Sequence, residues 1–302
     1  MKTRLSISIL TITFIMGISF VWAMWPEESY TVHIQVVDEE GTPIEGVKVN
    51  AGFTSVVLDN VKTQSIEGLT DKKGMTTLKG SSFLDVNFRA SKKGWYDSTM
   101  ELGRSALQSG ETQVIHLRKI VNPIPMYAKR IELLTPKNKK AIGFDFEAGD
   151  WIAPYGNGKR NDMIVESRLD QREMLDYDHE LIITFPNRFD GVQDIYYDTS
   201  QSSFRSDYQA PEEGYKSTWK YIRTRRPGEG EKGNVDKNRS YLLRVRTEAD
   251  KNGNIVKANY VKIYGDFSQF TYYFNPTPND RNLEFDPEKN LFKNLDSKIT
   301  AP

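Results

Sequence analysis

Residues 30–37 read YTVHIQVV, and this stretch decides the fold class of the first part of the chain. Val32, Ile34 and Val36 alternate with polar residues, which is the period of a half-buried β-strand. A turn follows, and we expect the next alternating run, 44–49, to pair with it as a hairpin. Further short runs recur at 75–78, 86–90 and 114–117, separated by turn residues. Short strands at this spacing predict an all-β sandwich.

Three segments of this region carry a family resemblance. They are VDEEGTPIEGVKV (37–49), TDKKG (70–74) and ASKKGWY (90–96). Glycine and proline shape the turns in the first two, and Gly94 interrupts a strand before an aromatic residue. Residues 30–119 thus resemble the carboxypeptidase regulatory-like (transthyretin-like) domain family. The resemblance implies a seven-stranded sandwich that accompanies other domains and generally lacks an active site. The stretch 50–68 is longer than the family pattern.

A proline-rich segment, VNPIP (121–125), predicts a domain boundary. We expect a linker at 120–126, a second β-rich domain at 127–293 and a flexible tail at 294–302. The second domain is predicted to be a larger β-sandwich or jelly roll, with a short helix possible at 167–175. Its clearest hairpin joins 241–247 to 255–264 across DKNGN (250–254), because Asn-Gly tolerates the positive φ angles of a tight turn.

Two motifs of the second domain carry only a loose likeness. GDWIAPYG (149–156) and YFNPTPND (273–280) resemble C-terminal parts of uncharacterised bacterial secreted proteins. This likeness implies no activity.

The first 23 residues have the order of a signal peptide. Lys2 and Arg4 precede an uncharged apolar run that ends at Val21, and Ala23 offers the small residue that a signal peptidase requires. The pattern predicts export to the periplasm or the extracellular space, with no membrane insertion after cleavage. The alternative is an uncleaved N-terminal membrane anchor.

Charge and cysteine content exclude several classes of protein. The chain has no cysteine, which excludes a lipoprotein anchor, a disulfide framework and cysteine-based metal or nucleophile sites. Its 41 basic and 41 acidic side chains create no global field that would attract nucleic acid, so we expect no nucleic-acid partner.

Motifs for catalysis and cofactor binding are missing from the sequence. It contains no nucleophile elbow, zinc-binding helix, phosphate loop or dinucleotide fingerprint, and we expect no cofactor and no metal. Of the three histidines, only His179 stands among acidic residues, in DYDHE (176–180). We interpret that segment as a solvated turn, with a metal site or an acid/base pair as the alternative. The DKNGN segment is interpreted as a turn rather than a calcium loop.

Aromatic and basic residues alternate in TWKYIRTR (218–225). In a regular strand Trp219, Tyr221, Arg223 and Arg225 would share one face, while Trp151 and Tyr155 belong to a predicted loop. Exposed rings can stack on sugars, and arginines can bind carboxylates or sulfates. We therefore predict these six residues as the ligand-binding set: Trp151, Tyr155, Trp219, Tyr221, Arg223 and Arg225. The alternative is that Trp219 and Tyr221 are core residues.

The sequence predicts an exported, non-catalytic binding or interaction protein. We expect its partner to be glycan or another envelope protein, recognised through the second domain. One alternative is a polysaccharide-acting hydrolase or lyase, and another is a purely structural envelope component.

Overall fold

The computed structural model describes residues 27–57, 60–132, 135–196, 202–234, 236 and 239–302. It divides into two compact units, the first ending at Ile120 and also holding Ser202 and Ser203, the second starting at Val121. The predicted signal peptide lies outside the described residues. Within them, no helix is long and apolar enough to cross a membrane.

The first unit is a sandwich of two sheets, which confirms the predicted all-β class. Its sheets have the strand orders β4-β1-β7 and β3-β2-β5-β6. Ile34 and Ile115 from the first sheet pack against Val49 and Phe88 from the second, and all four are fully or almost fully buried. The elements are β1 (Glu28–Val37), β2 (Lys48–Val57), β3 (Asn60–Leu69), β4 (Met75–Ser82), β5 (Val86–Ser91), β6 (Ser98–Leu102), α1 (Arg104–Gln108) and β7 (Gln113–His116).

The hairpin predicted between 30–37 and 44–49 is limited to its turn, where Val37 bridges Pro43 and the Ile44 N–H donates to the Val36 carbonyl oxygen at 3.0 Å. β1 alternates between buried and more exposed residues as expected, but it pairs antiparallel with β4 and parallel with β7. The run 44–49 instead leads into β2, where Val49 pairs with Gly68 on β3 and with Ala90 on β5. Val47 and Val49 are both fully buried, so the chain crosses between the sheets to place them in the core.

The second unit is a larger sandwich, and its paired strands are antiparallel. A six-stranded sheet has the order β10-β9-β11-β12-β14-β15, and a five-stranded sheet has the order β13-β16-β17-β18-β8. The strands are β8 (Tyr127–Glu132), β9 (Ala141–Asp145), β10 (Asp150–Trp151), β11 (Met163–Glu173), β12 (Asp176–Thr184), β13 (Gly191–Tyr196), β14 (Thr218–Arg225), β15 (Lys232–Gly233), β16 (Arg239–Ala249), β17 (Ile255–Asp266) and β18 (Gln269–Asn275).

Of two local predictions for the second unit, the hairpin is confirmed and the helix is wrong. β16 and β17 pair antiparallel as predicted, and their turn closes with the Asp250 N–H donating to the Asn254 carbonyl oxygen at 2.8 Å. The helix considered for 167–175 does not form. Those residues belong to β11 and the turn after it, because β11 pairs with β12 almost to its end.

The predicted linker and tail both contribute contacts in the second unit. The backbone N–H groups of Val121 and Asn122 donate to the Glu284 carboxylate, the first at 2.8 Å. Near the C-terminus, Leu295 and the buried Ile299 pack against a cluster that contains Met126, Tyr273 and Phe285.

Candidate functional site

The two aromatic residues predicted on β14 are core residues. Trp219 is 7% exposed and Tyr221 is 1% exposed, so neither ring can stack on a ligand. The Trp219 ring lies 4.8 Å from that of Phe267 and 5.1 Å from that of Tyr241, measured between centroids. Its Nε1–H donates to Asp194 Oδ1 at 3.0 Å. The alternative interpretation, that Trp219 and Tyr221 belong to the hydrophobic core, is therefore the correct one.

Beyond Tyr221 the same face of β14 becomes polar and more open. Residues alternate between buried and exposed up to Tyr221, whereas Arg223 and Arg225 are only half-buried. On the neighbouring strand, His179 lies opposite Arg223 and Tyr177 lies opposite Arg225. Directly opposed residues of an antiparallel pair point to the same side of the sheet. We call the group of Tyr177, His179, Arg223, Arg225 and the nearby Glu231 the arginine face.

The carboxylate of Glu231 joins two members of the arginine face. Its Oε1 lies 2.9 Å from Arg223 Nε, and its other oxygen accepts a hydrogen bond from the Tyr177 hydroxyl. That hydrogen bond is the main reason why the pKa of Tyr177 is raised, although both arginines oppose the shift. Tyr177 is therefore a neutral donor at physiological pH.

His179 is also neutral in this setting. Burial, and then the charge of Arg223, lower the pKa of its imidazole. Its Nε2 lies 2.9 Å from the Ser167 hydroxyl, and its ring packs edge-on against Tyr221 at 5.7 Å. With a neutral phenol and imidazole, two guanidiniums outweigh one carboxylate, and the arginine face carries a net charge of +1.

Three successive residues on this face of β14 each have a buried polar atom that lacks a hydrogen bond of good geometry. They are the Tyr221 hydroxyl, Arg223 Nε and Arg225 Nε. Arg223 still has Glu231 beside it. Within the part of the chain that the structure describes, the Arg225 guanidinium makes no hydrogen bond and no ion pair. An unpaired buried donor costs about 1–3 kcal/mol of folding free energy.

The opposite side of the same strands differs sharply. There, acidic and basic side chains form successive exposed ion pairs, so those cations already have partners. The pairs are Arg168–Glu180 at 3.1 Å, Lys220–Glu180 at 3.2 Å, Arg172–Asp178 at 2.9 Å and Arg226–Asp178 at 2.7 Å.

Trp151 and Tyr155 do not join the arginine face. Trp151 is half-buried against Phe144, with ring centroids 5.4 Å apart, and Lys140 Nζ lies 5.2 Å from the centre of the Tyr155 ring. β10 is separated from β14 by three strands in the sheet order. Four strand spacings amount to roughly 19 Å, so the six predicted residues do not form one site.

Sequence reasoning missed Tyr177, His179 and Glu231 as neighbours of the arginines. The segment 176–180 was interpreted as a turn, but it belongs to β12. Treating it as a strand would have placed Tyr177 and His179 on the same face as Leu181 and Ile183. Glu231 had no comparable signal. Among the described residues, no group of three or more acidic or histidine side chains is arranged to hold a metal.

A second charged cluster lies inside the sandwich around Arg246. Its Nε and Nη2 donate to the two oxygens of Asp162 at 2.7 and 2.9 Å. Burial raises the pKa of Asp162 despite this pairing, and burial likewise raises the pKa of Asp190. Asp190 Oδ1 accepts the backbone N–H of Thr247 at 2.9 Å. The carboxyl groups of Asp162 and Asp190 are thus hydrogen-bonded to Arg246 and to the next residue, Thr247, at a β-bulge. Arg246 has a φ of +57° there.

Comparison with known proteins leaves the family open. No protein-family model matches the chain, and no curated protein matches it. The solved structure of 3-chlorocatechol 1,2-dioxygenase from Rhodococcus opacus 1CP aligns with 32% of the chain at 13% identity and a TM-score of 0.25. A streptococcal ancillary pilin aligns with 82% at 12% identity and a TM-score of 0.20. The alignments span 61% and 59% of those two chains, and this level of likeness supports no conclusion about function.

Proposed function

We propose that the protein is exported and binds an acidic polymer of the cell envelope or its surroundings, such as a carboxylated or sulfated glycan, through the arginine face. The observation that carries this proposal is the half-buried guanidinium of Arg225, which has no partner among the described residues, beside a second arginine. Elsewhere on these strands the basic side chains are already ion-paired.

The chemistry of the arginine face fits an acidic ligand. A guanidinium presents two parallel N–H donors to a carboxylate or sulfate, and such charge-assisted bonds are stronger than neutral ones. Arg223 and Arg225 are two residues apart on one strand, which separates their α-carbons by about 7 Å. Tyr177 adds a half-buried ring next to the charges, and rings of this kind pack against sugar faces.

Binding without catalysis is the better supported form of this proposal. The Ser167–His179 contact has the first two members of a hydrolytic triad, but no carboxylate bonds to His179 within the described parts of the chain. A triad needs that acid to orient the imidazole. The raised pKa of Tyr177, caused first by its bond to Glu231, also opposes its use as a base.

We propose that the first unit belongs to the carboxypeptidase regulatory-like family and acts as a spacer. Seven strands in sheets of three and four support this assignment. No catalytic constellation is needed for such a role.

Replacing Arg225 by glutamine tests the binding site. Losing one charge-assisted interaction of about 1.5–3 kcal/mol should raise the Kd for an acidic polymer by about 10- to 150-fold. The matched control is Arg226→Gln, because Arg226 points to the opposite side and is paired with Asp178. We expect that control to bind normally. Titration calorimetry with polygalacturonate, heparin and neutral dextran would measure this and separate carboxylate from sulfate recognition.

Three outcomes would contradict the proposal. If neither acidic polymer binds, the ligand class is wrong. If Arg225→Gln and Arg226→Gln weaken binding equally, the effect is one of net charge and not of this site. If polygalacturonate is shortened during incubation and gains ultraviolet-absorbing unsaturated ends, the protein is a lyase and not a simple binder.

Export has its own test. The basic start, apolar run and Ala23 predict that the mature protein begins at Met24. N-terminal sequencing of protein recovered outside the cytoplasm should return that residue. A chain that still begins with Met1 and sediments with membranes would instead support the N-terminal anchor.

A further inference from the structure

We propose that two copies of this chain pair through strand β3, joining their four-stranded sheets into one eight-stranded sheet about a twofold axis. The proposal is independent of the arginine face. It rests on the length, the exposed backbone and the side-chain pattern of this edge strand.

β3 is a long and regular edge. It ends the sheet order β3-β2-β5-β6 and pairs with β2 over ten consecutive residues without a register shift. The opposite edge, β6, has only five residues. Proteins usually protect edge strands with proline, bulges or several lysines. β3 has no proline and only one lysine, Lys62.

The backbone hydrogen bonds of β3 determine which groups face outward. At its end, the Thr70 N–H donates to the Val47 carbonyl oxygen on the β2 side at 3.0 Å. Bonding alternates along an antiparallel pair, so the even-numbered residues of β3 direct their N–H and C=O groups toward β2. The odd-numbered residues, from Val61 to Leu69, direct theirs away from the sheet.

This alternation restricts how a second β3 can pair. Outward groups must meet outward groups, so odd-numbered residues must lie opposite odd-numbered ones. The antiparallel register that keeps all five in the ladder places Ser65 opposite Ser65 of the second copy. Thr63 then lies opposite Glu67, and Val61 lies opposite Leu69. No two like charges face each other across this ladder.

The side chains favour a second copy over an unrelated strand. Val61 is 64% exposed and Leu69 is 69% exposed, and they are the most exposed large apolar residues among the described parts of the first unit. They stand symmetrically about Ser65. In the twofold register, Val61 of each copy packs against Leu69 of the other copy. Both residues are therefore covered in both copies.

A single cysteine tests the register, since the natural chain has none. Opposed hydrogen-bonded residues have α-carbons about 5.5 Å apart, within the range that a disulfide spans. The full-length Ser65→Cys protein should therefore oxidise rapidly to a covalent dimer. Thr99→Cys is the control, because Thr99 is exposed on the other edge strand of the same sheet. We expect it to stay mainly monomeric.

A proline at Thr63 tests the interface without breaking the fold. The Thr63 N–H points outward, so proline removes a backbone bond to the second copy and no backbone bond to β2. It also removes one exposed side-chain bond, between the Thr63 and Thr54 hydroxyls. Sedimentation of the unmodified chain should show a dimer that Thr63→Pro converts to monomer with an unchanged circular dichroism spectrum. Leu69→Lys serves as a second variant and should also dissociate the dimer. A natural chain that is monomeric at all concentrations, or Ser65→Cys dimerising no faster than Thr99→Cys, would overturn the proposal.

Discussion

Replacing Trp219 by alanine should lower the free energy of unfolding of the second unit by about 3–5 kcal/mol. The ring is 7% exposed, and its loss would leave Phe267 and Tyr241 facing a cavity. For a unit of this size, the melting temperature should fall by about 6–20 °C. Calorimetry is the suitable measurement, because the two units can unfold in separate transitions and only the second should move.

A matched variant separates packing from hydrogen bonding at this position. Trp219→Phe keeps most of the ring contacts but removes the Nε1–H bond to Asp194, so we expect a smaller loss of about 1–3 kcal/mol. If Trp219→Ala instead melts like the natural protein but no longer binds acidic polymer, the ring is a surface platform and its place in the core is wrong.

The alternation in β14 was predictable, but its environment was not. A period of two places Trp219, Tyr221, Arg223 and Arg225 on one face whatever the tertiary structure. Whether that face is buried depends on the second sheet, which supplies Tyr241 to cover Trp219. That sheet is distant in sequence. The alternation therefore predicts that the four residues share one face. It does not predict the position along the strand at which that face changes from buried to solvent-exposed.

The arginine face also depends on contacts between residues that are distant in sequence. Tyr177 and His179, which lie opposite Arg225 and Arg223, come from β12, more than forty residues earlier in the chain. Their identification required the register between β12 and β14, which a single sequence does not contain. The β16–β17 hairpin was predictable because a five-residue turn fixes its pairing locally.

Replacing Arg246 by methionine should destabilise the second unit by about 3–5 kcal/mol at neutral pH, because it leaves the buried Asp162 carboxylate without a counter-charge. Asp162 is 1% exposed, and Arg246 donates to both of its oxygens. Methionine has a similar length, and its unbranched side chain should tolerate the φ of +57° at this bulge about as well as arginine does. Arg226→Met is the control, since its exposed ion pairs should contribute less than about 1 kcal/mol.

The pH dependence of the Arg246→Met variant gives the sharper test. Burial already raises the pKa of Asp162 in the natural protein, and loss of the arginine should raise it further. A carboxyl with a raised folded-state pKa takes up a proton more readily when folded, so it gains stability as the pH falls toward its unfolded value. Denaturant unfolding should therefore show that the deficit of Arg246→Met shrinks as the pH is lowered from neutral into the acidic range. Adding Asp162→Leu to Arg246→Met should restore much of the loss at neutral pH. A deficit that is independent of pH and persists in the double variant would mean that Arg246 acts through packing alone.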